Sequence, residues 1–591
     1  MANSVLFIIV LMVALVASAL TAYFAIELVA AKKHREAREA QLSTSNKAIQ
    51  SICQPTQFKE ACEQSMSSAN STEPKDLIRA EFQATVEEIK KVVAHSKTLK
   101  ELQNDEKTEQ AFDVCHQMFD WAIQDLERSF GKLGEVDMSK IDEILLTLQV
   151  WLSAALTSQQ TCIDSYEEMD GHAAEKMMSI LTKSQELTRN GISILNGFSA
   201  LTKDLDINNH EEPAEHRRLL STEFPEWMSY SDRKLLHDAD TATTTTTTTT
   251  THHEETKEQR EAAIAAELGD FKPDFIVAKD GSEKYDSVAK ALAQVPKKNT
   301  KRIVILIKAG IYHERIGIPK STDNIMLIGE GPTKTIITGN VSVEKTSPRP
   351  TTFYTATVSA AGMGFIAKDI TFENTIGPEG HQAVALRVSG DMSAFYNCHF
   401  NGYQDTLYSH EGRHFYRDCV ISGTIDFIFG SARAVFQNCH LVVRKPMGNQ
   451  ACIFIAQGKK TQESASGFVF QNCTFSGDKD YIPMKDKNKS YLNRPWRAFA
   501  TVVIMQSQID DIIQPEGYIP MDGDKGLETG YFVEFDNRGP GSNTELRAKW
   551  PSIKEIDQVE VKKFTPGPFL ESENWVPSAE IPCIPDMIPG L

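Results

Sequence analysis

Phe395-Tyr396-Asn397-Cys398, Phe415-Tyr416-Arg417-Asp418-Cys419, Phe436-Gln437-Asn438-Cys439 and Phe470-Gln471-Asn472-Cys473 state one phrase four times. The first three recur at a period of about 20 residues, roughly what one coil of a parallel β-helix consumes. Repetition of short strands at this period argues for a solenoid, with Phe and Cys stacking inward and Asn closing turns. A β-sandwich would also give many short strands, but not a repeated phrase. The β character begins near Phe275. Ile303-Val304-Ile305-Leu306-Ile307, Asn324-Ile325-Met326-Leu327-Ile328 and Thr335-Ile336-Ile337 alternate with Gly, Asn and Asp turns in the same manner.

Inside the repeats stand two carboxylates one coil apart. Asp405 lies in Tyr403-Gln404-Asp405-Thr406-Leu407, and Asp426 lies in Gly423-Thr424-Ile425-Asp426-Phe427-Ile428-Phe429-Gly430. Gln382 precedes Gln404 by a similar step. Stacked coils would gather two carboxyl groups and two amide donors at one surface spot, which is equipment for acid/base and nucleophilic work on a carbonyl. The chain has no C-x-x-C pair, no H-E-x-x-H and no G-x-S-x-G elbow. Metallo- and serine-hydrolase chemistry therefore have no sequence support, and no cofactor or metal is expected.

At 591 residues the chain is too long for one compact core. Residues 52–201 read as helices: Ile78, Phe82, Val86, Ile89 and Val93 recur at helical spacing, as do Ile141, Leu145, Leu148, Leu152 and Leu156. An up-and-down bundle is the simplest arrangement. Cys53, Cys62, Cys115 and Cys162 form an even set there and read as two disulfides. The net charge of -18 argues against nucleic acid as a partner. The acidity sits mostly in the N-terminal third, so an acidic polysaccharide stays compatible with the C-terminal part.

An uncharged run at 5–26 exceeds the core of an ordinary signal peptide and suits a signal anchor, the chain's expected membrane contact. Ala17-Ser18-Ala19 offers a cleavage site for the alternative of a cleaved signal. Lys32, Lys33 and Arg35 after the run favour the opposite orientation. The disulfides and the sequons at Asn70, Asn340, Asn472 and Asn488 point instead to the secretory lumen. A threonine tract at 243–251 cannot form a core and marks an exposed linker. That linker carries Arg217-Arg218-Leu219-Leu220 and Arg233-Lys234-Leu235-Leu236, dibasic tetrads open to proteases.

From 275 to the C-terminus the sequence closely resembles plant pectin methylesterases of the long type, which carry an N-terminal pectinesterase-inhibitor-like region. The resemblance rests on Gly310-Ile311-Tyr312-His313-Glu314, Thr351-Thr352-Phe353, the Gln382 and Gln404-Asp405 segments, Asp426-Phe427-Ile428-Phe429-Gly430 and Arg494-Pro495-Trp496 taken together. It implies a four-helix bundle followed by a right-handed parallel β-helix, hydrolysing methyl esters of homogalacturonan and releasing methanol at the cell wall. The implied organisation is a signal segment at 1–31, an inhibitor-like domain at 45–205, a processing linker at 206–270 and the catalytic β-helix at 271–591. By the same resemblance Asp426 is the nucleophile, Asp405 the acid and then the base, and Gln382 and Gln404 the oxyanion donors. Arg494 orients Asp426, and Thr352 and Trp496 contact the sugar chain. Cys419 and Cys439 occupy the positions of the family's catalytic-domain disulfide, while Cys398, Cys452, Cys473 and Cys583 are expected as thiols. The two tetrads correspond to sites for a subtilisin-like processing protease, and separate pectinesterase inhibitor proteins are implied partners.

The physical logic agrees with these roles. Two close carboxyls split their pKa values, and an adjacent arginine selects which stays ionised. Some positions depart from the family pattern. Asn493 stands before Arg494 where Gly is usual, and Gly517-Tyr518-Ile519-Pro520-Met521 replaces a segment that usually carries tryptophans. These departures motivate the alternative of a pectin-binding wall protein with weak or lost activity.

Overall fold

The computed structural model describes residues 27, 32–33, 44–69, 71–101, 106–136, 138–167, 171–204, 271–448 and 450–590. The 5–26 run, both tetrads, the threonine tract and Asn70 lie outside them. Among the described residues no helix is long and apolar enough to cross a membrane.

Among the described residues from 44 to 204, six α-helices build the N-terminal part: α1 (44–53), α2 (Lys59–Met66), α3 (Pro74–Glu101), α4 (Glu106–Glu135), α5 (Leu145–Glu167) and α6 (Gly171–Asp204). The four long ones form a bundle in which α3 packs on α4 and α6, and α5 on the same two. Ile78, Phe82, Val86 and Ile89 of α3 and Leu148, Leu152 and Leu156 of α5 face its core, as helical periodicity requires. Cys53–Cys62 ties α1 to α2, and Cys115–Cys162 ties α4 to α5.

From Phe275 the chain winds through three all-parallel sheets of eleven, seven and eight strands, each coil adding one strand to a sheet. One interior column joins Phe395, Tyr416, Phe436 and Phe470 by register. Their rings stack at 4.8, 4.4 and 4.6 Å between centroids. The repeated phrase is thus in phase at Tyr416 rather than Phe415. Phe415 points the other way, into the layer beneath the C-terminal segment. Asn397, Asp418, Asn438 and Asn472 all take left-handed φ between 48° and 58° at the turn after this column. Asn and Asp tolerate that conformation best among residues with a Cβ.

Two expectations are corrected. Cys419 and Cys439 are free thiols, buried in one column with Cys398 and Cys473. Successive parallel coils point equivalent Cβ atoms the same way about 4.8 Å apart, beyond the separation a disulfide accepts. The thiols donate to backbone carbonyls instead, Cys419 to Arg417 O at 3.3 Å and Cys439 to Tyr416 O at 3.5 Å. The second correction concerns the sequons. Asn488 is buried, and its Nδ2 donates to Met447 O and Gln450 O at 2.9 and 2.8 Å, leaving no room for a glycan. Asn472 is half-buried with its Nδ2 donating to Asn438 at 2.8 Å, whereas Asn340 is exposed.

Candidate active site

The seven-stranded sheet carries the candidate residues. Its strands Leu407–Ser409 and Ile428–Gly430 pair Leu407 with Ile428, so the turns that enter them stack. Asp405 and Asp426 sit in those turns with φ of 64° and 50°, again left-handed positions that Asp tolerates. The Asp405 N–H donates to Ile425 O at 3.0 Å, which fixes one carboxyl directly beside the other's coil. On the opposite side, Ala383 N–H donates to Gln404 O at 3.1 Å and brings Gln382 alongside. Gly423 permits the tight approach: a Cβ there would lie 2.3 Å from that of Phe427 and 2.6 Å from Tyr403 O.

Arg494 follows strand Ser490–Asn493, two strands further along the sheet, and reaches back to Asp426. Its Nε donates to Oδ1 at 2.8 Å and its Nη2 to Oδ2 at 2.5 Å, a bidentate fork. Burial pushes the Asp426 carboxyl above its ordinary value, and the guanidinium works against that. Burial likewise opposes the charge of Arg494, and Asp426 more than restores it. Trp496 lies on Gly458, where a Cβ would meet the indole at 2.6 Å, and packs edge-on against Phe429 at 5.9 Å.

All seven candidate residues (Thr352, Gln382, Gln404, Asp405, Asp426, Arg494 and Trp496) line one cavity of about 220 Å³. Sequence reasoning missed its apolar floor of Tyr408 and Phe429, which sit on the strands, and Phe353, which sits in the short 3-10 helix Thr352–Tyr354. It also missed the roof. Thr161, Asp164 and Ser165 of α5 close the cavity from above.

The helical part is docked across this face. Its apolar core runs without interruption into Phe353, Val384, Tyr408 and Phe429 of the β-helix. From α5, Trp151 Nε1 donates to Asp391 at 2.9 Å, Ser158 Oγ donates to Glu411 at 2.9 Å, and Thr161 Oγ1 meets His410 Nε2 at 2.8 Å. From α4, Asp125 accepts from Lys320 Nζ at 2.6 Å, and Glu411 accepts from the same ammonium at 3.1 Å. Burial raises the Glu411 carboxyl to about 7, with Lys320 opposing the rise. A signal for this docking was present. From Leu145 to Ile163 helix α5 carries no charged residue, so it presents no charged face to water.

Residues 274–573 match the family described as pectinesterase, and residues 47–194 match plant invertase/pectin methylesterase inhibitor. The Arabidopsis thaliana protein "probable pectinesterase/pectinesterase inhibitor 21" is 40% identical over 93% of this chain and 78% of its own length. A Petunia integrifolia pectinesterase is 42% identical over 69% of this chain and 98% of its own. Among solved structures, a pectin methylesterase from carrot is 42% identical. It superposes with a TM-score of 0.52 over 54% of this chain and 98% of its own.

Proposed function

This chain belongs to the pectinesterase family, and on that premise we propose how its residues hydrolyse the methyl esters of pectin at the cell wall and how its helical part restrains them. The observation that carries the chemistry is the Arg494–Asp426 fork one coil away from Asp405. Arg494 keeps Asp426 ionised and aims it, and Asp426 attacks the ester carbonyl. The amide N–H groups of Gln382 and Gln404 take the developing oxyanion without adding charge. Asp405 gives its proton to the departing methoxide, so methanol leaves and an acyl–Asp426 anhydride remains. Asp405, now a carboxylate, takes a proton from water. The resulting hydroxide attacks the acyl carbon and expels the Asp426 carboxylate; the galacturonic acid formed loses its proton to solvent, and Asp405 keeps the proton it took from water for the next turn. Trp496 and Thr352 contact the sugar chain.

The roof carries the second half of the reading. With α5 over the carboxyl pair, a polysaccharide chain has no path across Trp496 and Phe353. Tethering sets the local concentration of the helical part at roughly millimolar, so the contact holds until the linker is cut. A subtilisin-like protease acting at either tetrad of 206–270 removes that advantage. The 5–26 run directs the chain into the secretory route, where Asn340 is available for glycosylation. The test replaces the basic residues of both tetrads with Ala and compares uncut with cut protein on methylated pectin. The cut form releases methanol faster; equal release by both ends the restraint reading.

A further inference from the structure

Beyond Trp496 the catalytic cavity runs on into a second compartment. The two share Thr161, Asp164, Tyr408 and Trp496. The β-helix side of this extension is cationic, with Arg497, Lys459 and Lys460. Glu463, close by in sequence, is taken by Arg189 of α6 at 3.0 Å. The side chains of α5 fill the compartment down to about 20 Å³. Asp164 accepts from Arg497 Nη2, and Gln160 accepts from Lys460 Nζ. Gln160 Nε2 also donates to Asp164 at 2.6 Å. Arg497 therefore already holds a carboxylate, but through one arm of its fork. Its Nε is buried and has no acceptor among the described residues. A carboxylate approaching side-on would take both Nε and Nη2 in a parallel two-bond fork, a geometry that suits guanidinium groups.

We propose that Arg497 and Lys460 form a subsite for a free galacturonate carboxylate, and that Asp164 and Gln160 occupy it in the intact chain as a mimic of de-esterified substrate. The inference rests on the reading that this groove takes pectin. It adds a preference. Trp496 lies between Arg494 and Arg497 in sequence, and the Arg497 guanidinium stands 5.1 Å from its ring. A chain lying on Trp496 with an ester at Asp426 therefore offers a nearby unit to Arg497. If that unit is already de-esterified, its charge is paired; if it is a methyl ester, the substrate covers the guanidinium without supplying a counter-charge. The opened enzyme favours esters close to an existing free carboxylate.

The experiment starts from the full chain with a site-specific protease site inserted at 243–251. The protein is cut after folding, and the β-helix piece is isolated by ion exchange. The carrot structure, matched over 98% of its length by this part of the chain, shows that such a unit stands alone. Calorimetry with fully de-esterified hexagalacturonate compares the unsubstituted piece with Arg497→Gln and Lys460→Gln. Lys485→Gln, a distant cation paired with Asp511, is the control for net charge. Loss of one charge-assisted pair weakens binding about tenfold or more at Arg497. In parallel, kcat/KM is compared on hexamers that are fully esterified or carry one free carboxylate. The unsubstituted enzyme prefers the latter, and Arg497→Gln brings the ratio toward one. Unchanged affinity, or weakening matched by Lys485→Gln, overturns the subsite. A piece that binds the hexamer but releases no methanol overturns the esterase reading instead, and the calorimetry still decides the subsite.

Discussion

Replacing Lys320 with Met should open the groove without any cut. Lys320 and its partners Asp125 and Glu411 expose only 4%, 4% and 1% of their side chains. The ammonium is the shared counter-charge of one carboxylate from each domain. Met fills similar volume but leaves two carboxyls facing each other in a dry interface, at a cost of about 3–5 kcal/mol. That shifts the docking equilibrium by roughly 150- to 5,000-fold toward the open form. The shift depends on pH. The carboxyl of Glu411 is raised to about 7 from 4.5 when docked. The docking stability linked to it is fully present below 4.5 and is lost as pH rises through about 7, and removing Lys320, which holds this carboxyl down, moves that loss upward. Opening by Lys320→Met is therefore greatest at pH 8 and smaller at pH 5.5, where the carboxyls take up protons. The assay is methanol release by uncut protein with both tetrads replaced by Ala, with circular dichroism as the check on folding. At pH 8 the Lys320→Met form should approach the rate of cut protein. A folded variant as slow as its uncut parent at both pH values would refute the assignment of this triad as the clasp.

Arg494→Ala should lower kcat by about two orders of magnitude or more, since an uncompensated Asp426 beside Asp405 holds its proton. A raised KM with kcat kept would make Arg494 a residue that grips substrate. Asn493 is buried with neither polar atom of its amide bonded among the described residues, so Asn493→Ala should raise the melting temperature by removing a penalty of about 1–3 kcal/mol. A fall in melting temperature would show that the amide is satisfied. Denatured, unreduced protein should titrate six thiols, and four would restore a Cys419–Cys439 bridge.

The fold was legible because a β-helix repeats its interior. Phe395, Phe436 and Phe470 announce the column, and Asn397, Asn438 and Asn472 announce its turn. The phase slipped at Phe415-Tyr416 because two adjacent aromatics fit the phrase equally well, and the count of residues back from Cys419 decides between them. The carboxyl pair and the two glutamines were legible for the same reason of coil spacing. The arginine fork was not derivable from spacing, since Arg494 meets Asp426 across 68 residues. The sequon at Asn488 misled because the pattern says nothing of burial. The roof was the least visible feature. Asp164 and Arg497 lie 333 residues apart on different domains, and only the absence of charge from Leu145 to Ile163 of α5 hinted at a partner.

The central claim is that Asp426 forms the bond to the ester carbon. Its most direct test is methanol release from methylated pectin by cut protein and by its Asp426→Asn form, a nearly isosteric change at a site where Asn tolerates the left-handed backbone. The account predicts no turnover above background, with an unchanged circular dichroism spectrum. Near-normal methanol release by the folded variant would contradict it.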